Sequence, residues 1–150
     1  GLADSTKVIN SSEAMDQTKM PKTLTIIGSG YIGLEFANMF ANYGTQVTVL
    51  DVHSDFLPRE DDDISQMIKQ DLENTGIKFE LGVKINRVED DTVFYEKNGQ
   101  ELSIKADRIL AATGRKPNTE NLGLENTDIQ LTDRGAIKVD DHLLTSVPNV

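Results

Sequence analysis

Residues 23–27 run Thr-Leu-Thr-Ile-Ile, a β-branched and mostly apolar stretch without polar alternation. That is the pattern of a strand buried on both faces of a parallel sheet, and it ends abruptly in glycines. Beyond them Ile32, Phe36, Met39, Phe40 and Tyr43 recur at spacings of three and four, predicting an amphipathic helix over residues 31–43 closed by Gly44. Residues 46–50 form the next strand, reaching Asp51. A turn region containing Pro58 then leads to Asp61-Asp62-Asp63, and a second helix uses Ile64, Met67, Ile68 and Leu72 before stopping at Gly76. Carboxylates suit the positive end of a helix, a commoner role for such a run than metal binding. Residues 77–81 read as a third strand. Short strands follow near 84–88, 92–97 and 101–105, the last pair joined by the hairpin signal Asn98-Gly99. Residues 108–112 (Arg-Ile-Leu-Ala-Ala) are another buried strand, and Thr113-Gly114-Arg115-Lys116-Pro117-Asn118 breaks the pattern.

This order predicts an α/β fold, a Rossmann-type doubly wound parallel sheet in which a β-meander replaces one crossover helix. Residues 1–21 are polar and mixed, with Ser11-Ser12-Glu13 offering a cap for one helical turn before Pro21. They read as a connecting arm, residues 22–114 as the Rossmann domain and 115–150 as a separate tail. Ligands on such sheets bind beyond the carboxyl ends of the strands, which is where the glycines lie.

Gly28-Ser29-Gly30-Tyr31-Ile32-Gly33 has the G-x-G-x-x-G spacing. Gly28 permits a tight turn, Gly30 lets backbone approach a pyrophosphate and Gly33 allows close helix–strand packing. The following helix N-terminus supplies N–H groups and partial positive charge, so no basic patch is needed. A glycine pattern alone is weak, but this one leaves a strand, opens a helix and precedes Asp51 at the next strand's end. A carboxylate there accepts hydrogen bonds from an adenosine ribose; a turn or capping carboxylate is the plainer alternative.

Composition narrows the classes. The 150 residues carry a formal net charge of −10, which repels nucleic acid and anionic membranes. No apolar run approaches the roughly 18 residues of a membrane span, and no secretory leader is visible. There is no cysteine, hence no disulfide, thiolate metal site or cysteine nucleophile in this chain. The two histidines, His53 and His142, have no carboxylate cluster at metal-ligand spacing, so no metal site is expected. A cytoplasmic location is the expectation.

Gly28–Glu35 (GSGYIGLE), Leu57-Pro58 before an acidic helix start, Ala111-Ala112-Thr113-Gly114-Arg115-Lys116-Pro117-Asn118 with Asn121-Leu122-Gly123-Leu124, and the stretch Thr132-Asp133-Arg134-Gly135-Ala136-Ile137-Lys138-Val139-Asp140 together resemble the class I pyridine nucleotide–disulfide oxidoreductases, the group of lipoamide dehydrogenase, glutathione reductase and mercuric reductase. The resemblance covers essentially the whole chain. It implies the central NAD(P)H-binding domain of an FAD-dependent enzyme, passing hydride from NADH to a flavin and on to a redox disulfide or small acceptor. It further implies that Gly28, Ser29, Gly30, Tyr31, Ile32, Gly33, Leu34 and Glu35 line the NAD(H) site, that Ile85 and the Gly114 backbone border it, that Glu35 sits near the nicotinamide, and that Tyr31 matches a position covering the flavin in one branch. Solvent-facing roles for Tyr31 and Glu35 are the plainer alternatives. The family's FAD glycine motif, Cys-x4-Cys, Gly-Asp motif and C-terminal His-Glu pair are not in these residues. The expectation is therefore a piece of a longer protein, with no catalytic residue of its own, whose partners are NADH and the FAD and dimerisation domains. The absence of an initiator Met and the Ser146–Val150 end, read as a strand just beginning, agree with that expectation.

Three other functions weigh less. A short-chain dehydrogenase needs Tyr-x3-Lys, but Tyr31, Tyr43 and Tyr95 are followed four residues on by Glu35, Val47 and Gly99. A nucleotide-sensing regulatory Rossmann domain shares the glycine pattern and strand-end Asp, yet gives no reason for the meander or the Thr113–Asn118 segment; it is the runner-up. Phosphotransfer lacks its G-x4-G-K-[ST] loop.

Overall fold

The structure is a computed structural model that describes residues 5–150; Gly1-Leu2-Ala3-Asp4, the start of the expected arm, lie outside the described residues. The elements in chain order are β1 (Val8–Ile9), α1 (Ser11–Met15), β2 (Thr23–Ile27), α2 (Tyr31–Asn42), β3 (Gln46–Asp51), α3 (Asp62–Asn74), β4 (Lys78–Leu81), β5 (Lys84–Glu89), β6 (Thr92–Lys97), β7 (Gln100–Lys105) and β8 (Arg108–Ala111). The chain divides into two compact units, Gly1–Thr113 and Gly114–Val150.

In the first unit a five-stranded parallel sheet has the order β1-β8-β2-β3-β4. The central strand β2 pairs with β3 on one side, Ile27 opposite Leu50, and with β8 on the other, Ile27 opposite Ala111. The meander β5-β6-β7 is a separate antiparallel sheet lying between β4 and β8 in sequence. Because side chains alternate across a strand, each face of the parallel sheet has its own core. Leu24, Ile26, Val47, Val49 and Leu110 pack with the helix residues Leu34, Ala37, Phe40 and Leu72. Ile27, Leu50 and Ile109 pack with Val83, Val88, Val93 and Tyr95 of the meander side. Helices and meander therefore cover opposite faces, which explains the near-continuous apolar run in β2.

Some expectations change. Residues 8–9, placed in a connecting arm, form the edge strand β1, with Val8 opposite Ile109, and α1 is capped by Asn10 rather than by the serines. The Asn10 side chain accepts from the Glu13 N–H at 3.0 Å while Glu13 accepts from the Asn10 N–H at 2.8 Å, a reciprocal capping box. The buried side of α2 is Gly33, Leu34, Ala37 and Phe40, while Ile32 and Tyr43 are exposed. Gly33 lies close against Gly28 and Ala112, and Phe36 and Met39 pack partly against the same core as Leu34 and Phe40. On α3 it is Ser65 and Leu72 that are buried, with Ile68 packed beside them, and Ile64 and Met67 face outward.

The second unit is built from turns. It has a 3-10 turn at Leu124–Asn126, a bridge between Leu131 and Ile137, and an Asp140 carboxylate accepting the N–H groups of His142 and Leu144 at 2.8 and 3.0 Å. Residues 146–150, expected to begin a strand, close a turn in which the Val150 N–H donates to the Val147 carbonyl at 3.2 Å. The Pro148-Asn149 pair, with Asn149 at φ +68°, bends the backbone away from extension.

Candidate functional site

The site grows from the end of β2. The Gly28 N–H donates to the Leu50 carbonyl at 2.8 Å and the Ala112 N–H to the Ile27 carbonyl at 2.8 Å, so the chain leaves the sheet between its two neighbours. Gly28 stands at φ +110°, and a β-carbon there would drive into the Ala112 carbonyl. One turn into α2, a β-carbon on Gly33 would drive into the Gly28 carbonyl. The fold itself thus requires glycine at both positions. Gly30 is different: its backbone is extended, φ −72° and ψ 173°, and nothing lies within 4 Å of where its β-carbon would stand. Neither a steric clash nor a positive φ requires glycine there.

Gly30 is also the N-cap of α2, with no side-chain cap and no acidic residue in the first turn. The first intrahelical bond runs from the Leu34 N–H to the Gly30 carbonyl at 3.0 Å, so the N–H groups of Tyr31, Ile32 and Gly33 lie ahead of the helical ladder. Donors at a helix N-terminus beside an open backbone cradle suit an anion, above all a phosphate.

Asp51, at the end of β3, is buried against this turn. Its Oδ2 accepts the Ser29 N–H at 2.5 Å and the Ser29 hydroxyl at 2.7 Å, and its Oδ1 accepts the His53 N–H at 2.8 Å and pairs with His53 Nδ1 at 2.9 Å. Burial pushes the carboxyl up, but the His53 and Ser29 donors together outweigh it and hold the group below the ordinary aspartate value. A carboxylate offers about four lone-pair sites, and four donors occupy them here. A ribose hydroxyl reaching Asp51 directly would have to displace one.

At the other end of the turn Tyr31 is exposed, and its hydroxyl donates to Glu60 Oε1 at 2.6 Å. The hydrogen bond to Glu60, and then that carboxylate's charge, raise the phenol above its ordinary value. The structure therefore brings Gly28, Ser29, Gly30, Tyr31, Ile32, Gly33 and Asp51 together around one turn. The Leu34 side chain goes instead to the helix-side core, Glu35 is exposed on α2, Ile85 is half-buried opposite Tyr95 in the meander, and Gly114 opens the second unit at φ +133°. Two residues were not singled out as site residues from the sequence, Glu60 and His53. The Asp-x-His spacing after a strand was the available signal for His53, because a carboxylate at a strand end commonly turns back to cap the backbone two residues on.

Among the described residues no group of three or more His, Asp or Glu side chains could hold a metal ion, and no helix is long and apolar enough to cross a membrane.

Comparison with known proteins agrees with this architecture. The chain is 38% identical to dihydrolipoyl dehydrogenase of Geobacillus stearothermophilus over 150 residues, covering 97% of this chain and 32% of that protein. It is 39% identical to a probable pyridine nucleotide-disulfide oxidoreductase, RclA, of Escherichia coli, covering 100% of this chain and 33% of the relative. Among solved structures, the HOCl-induced flavoprotein disulfide reductase RclA from Escherichia coli, as its Cu(II) complex, superposes with a TM-score of 0.86 at 38% identity, covering 99% of this chain and 34% of that one. The chain spans about a third of the length of the curated relatives it matches. With a glycine turn at the carboxyl ends of a parallel sheet, and a match to the family model over residues 1–150, the chain belongs to the pyridine nucleotide-disulphide oxidoreductases.

Proposed function

We propose that this chain is the NADH-binding portion of an FAD-dependent oxidoreductase, and that the observation carrying this reading is Gly30. A glycine that the fold does not require, at an uncapped helix N-terminus, is explained by a ligand backbone that must lie where a side chain would stand. In this reading the pyrophosphate occupies that cradle and accepts from the N–H groups of the first turn of α2, while Asp51 holds Ser29 and so fixes the shape of the turn. The adenosine half extends toward the end of β3. Tyr31, Ile32, Glu35 and Ile85 border the nicotinamide half, and Leu34 supports the helix from the core. Two nearby carboxylates, Asp51 and Glu60, favour a dinucleotide without extra phosphate, hence NADH over NADPH at neutral pH.

FAD, which in this reading belongs to polypeptide outside this chain together with the dimerisation surface, accepts the hydride when bound. The chain itself has no thiol and no second glycine fingerprint, so its work is binding and orientation. The purified chain should show no flavin absorption and no NADH turnover with a dye. The decisive test is Gly30→Val: calorimetric NADH affinity falls by at least about tenfold, while the circular dichroism spectrum stays that of the folded wild type, the weaker helix cap lowering only the melting temperature. Undiminished binding in this variant overturns the reading.

A further inference from the structure

We propose that His53, held by Asp51, reads the 2′ position of the adenosine ribose and makes the choice between NAD and NADP depend on pH; this rests on the dinucleotide reading above. The starting point is that Asp51 has no acceptor site left. Ser29 takes one carboxylate oxygen and His53 the other. Beside that carboxylate the His53 ring stands in solvent, its side chain 69% exposed against 11% for Asp51.

The ring is not free to choose its tautomer. An ionised carboxylate can only accept, so His53 Nδ1, 2.9 Å from Asp51 Oδ1, carries the proton. Nε2 is left outward, and among the described residues it has no hydrogen-bond partner. In the neutral ring Nε2 accepts, which suits the 2′-hydroxyl of NAD. In the protonated ring it is a cationic donor, which suits the 2′-phosphate of NADP. Histidine is the side chain whose ordinary charge change falls between pH 5 and 8, so one residue can do both.

The ring is also well placed. Its own backbone is pinned on two sides, by the N–H to Asp51 and by the Gly82 N–H donating to its carbonyl at 2.9 Å. The chain of hydrogen bonds Ser29 to Asp51 to His53 ties it to the glycine turn where the pyrophosphate would lie. The hydrogen-bond partners of His53 are Asp51 from β3 and the Gly82 N–H from the connection after β4, and of these Asp51 alone is charged; Ser29 bonds to the other oxygen of Asp51.

The test is calorimetric titration of the 150-residue chain with NAD+ and NADP+ at about pH 5.5 and pH 8, in the wild type, His53→Gln and, as a control for the other histidine, His142→Gln. Glutamine keeps an accepting oxygen but cannot be protonated. The ratio of NADP+ to NAD+ affinity rises at least about tenfold on acidification in the wild type and in His142→Gln. In His53→Gln the rise falls to that caused by protonation of the ligand's own phosphate. Nitrogen chemical shifts of the free protein show His53 protonated on Nδ1, and NADP+ shifts that ring at pH 5.5. Binding of NAD+ with a pH rise undiminished in His53→Gln, or with no rise in the wild type, overturns the role of His53 alone. Failure of both dinucleotides to bind at either pH overturns the dinucleotide reading and this proposal together.

Discussion

The parallel-sheet unit and the segment 114–150 are made of similar residues but stabilised differently. Every buried hydrophobic side chain of the described chain lies in the first unit, all but Ala106 in two clusters on opposite faces of one sheet. In the second unit no residue is buried, and leucines such as Leu143 and Leu144 stand in solvent. Burial of apolar surface is the dominant favourable term in folding, at about 1.5–3 kcal/mol for a fully buried large side chain. The first unit therefore has a cooperative core, whereas the second is shaped by local turns and capping side chains such as Asp140. Two segments of one chain can both be ordered without being equally stabilised.

The sharpest way to break this contrast is a pair of truncations. Phe40→Ala, at a fully buried position beneath α2, should cost about 3–5 kcal/mol in urea unfolding. Leu144→Ala, 52% exposed, should fall within about 0.5 kcal/mol of the wild type. Equal losses would mean that the second unit contributes to the same cooperative core.

A smaller effect separates the two ends of the glycine turn. Asp51→Asn should cost about 1.5–3 kcal/mol, since a charge-assisted set of hydrogen bonds to Ser29 and His53 is weakened in a buried place. The pH dependence has a definite sign. The folded-state carboxyl is held below its unfolded value, so its contribution is fully present above the ordinary aspartate value of about 3.9 and is lost as pH falls through the lower folded value. Melting temperatures of wild type and variant, measured from neutral pH into acid, should therefore converge at the acid end. A gap that stays constant would mean that Asp51 is not the linked group.

The exposed end should respond least. Glu60→Gln weakens the hydrogen bond that holds the Tyr31 phenol up and removes the carboxylate charge that adds to it, so ultraviolet titration should show Tyr31 ionising closer to its ordinary value, with no change in melting temperature. An unchanged Tyr31 titration would show that the two side chains do not meet in solution.

How much of this was legible in the sequence differed with the kind of signal. Strand β2 and the hairpin at Asn98-Gly99 fall where the apolar run and the turn residues put them, because backbone conformation there is set by near neighbours. On α2, Phe36, Met39 and Phe40 turn to the core as the apolar spacing puts them, but Ile32 and Tyr43 do not. Ile32 and Tyr43 match the helical period as well as Phe40 does, and only the packing of the folded helix selects among them. Strand β1 was illegible for a related reason: two residues, Val8-Ile9, have no periodicity, and they become a strand only because β8 offers an unpaired edge.

The glycine turn shows the same division within six residues. Sequence alone determined that a strand ends, a helix begins and three glycines lie at the spacing a pyrophosphate needs, since these follow from local sterics and hydrogen bonding along the chain. Tertiary structure alone decided which glycine the fold can spare. Gly28 is constrained by Ala112 and Gly33 by Gly28, whereas Gly30 meets nothing. It also decided that Asp51 spends its oxygens on Ser29 and His53, 22 residues before it and two after. Long-range contacts carry no periodic trace in the sequence, because they depend on which strands the folded sheet sets side by side.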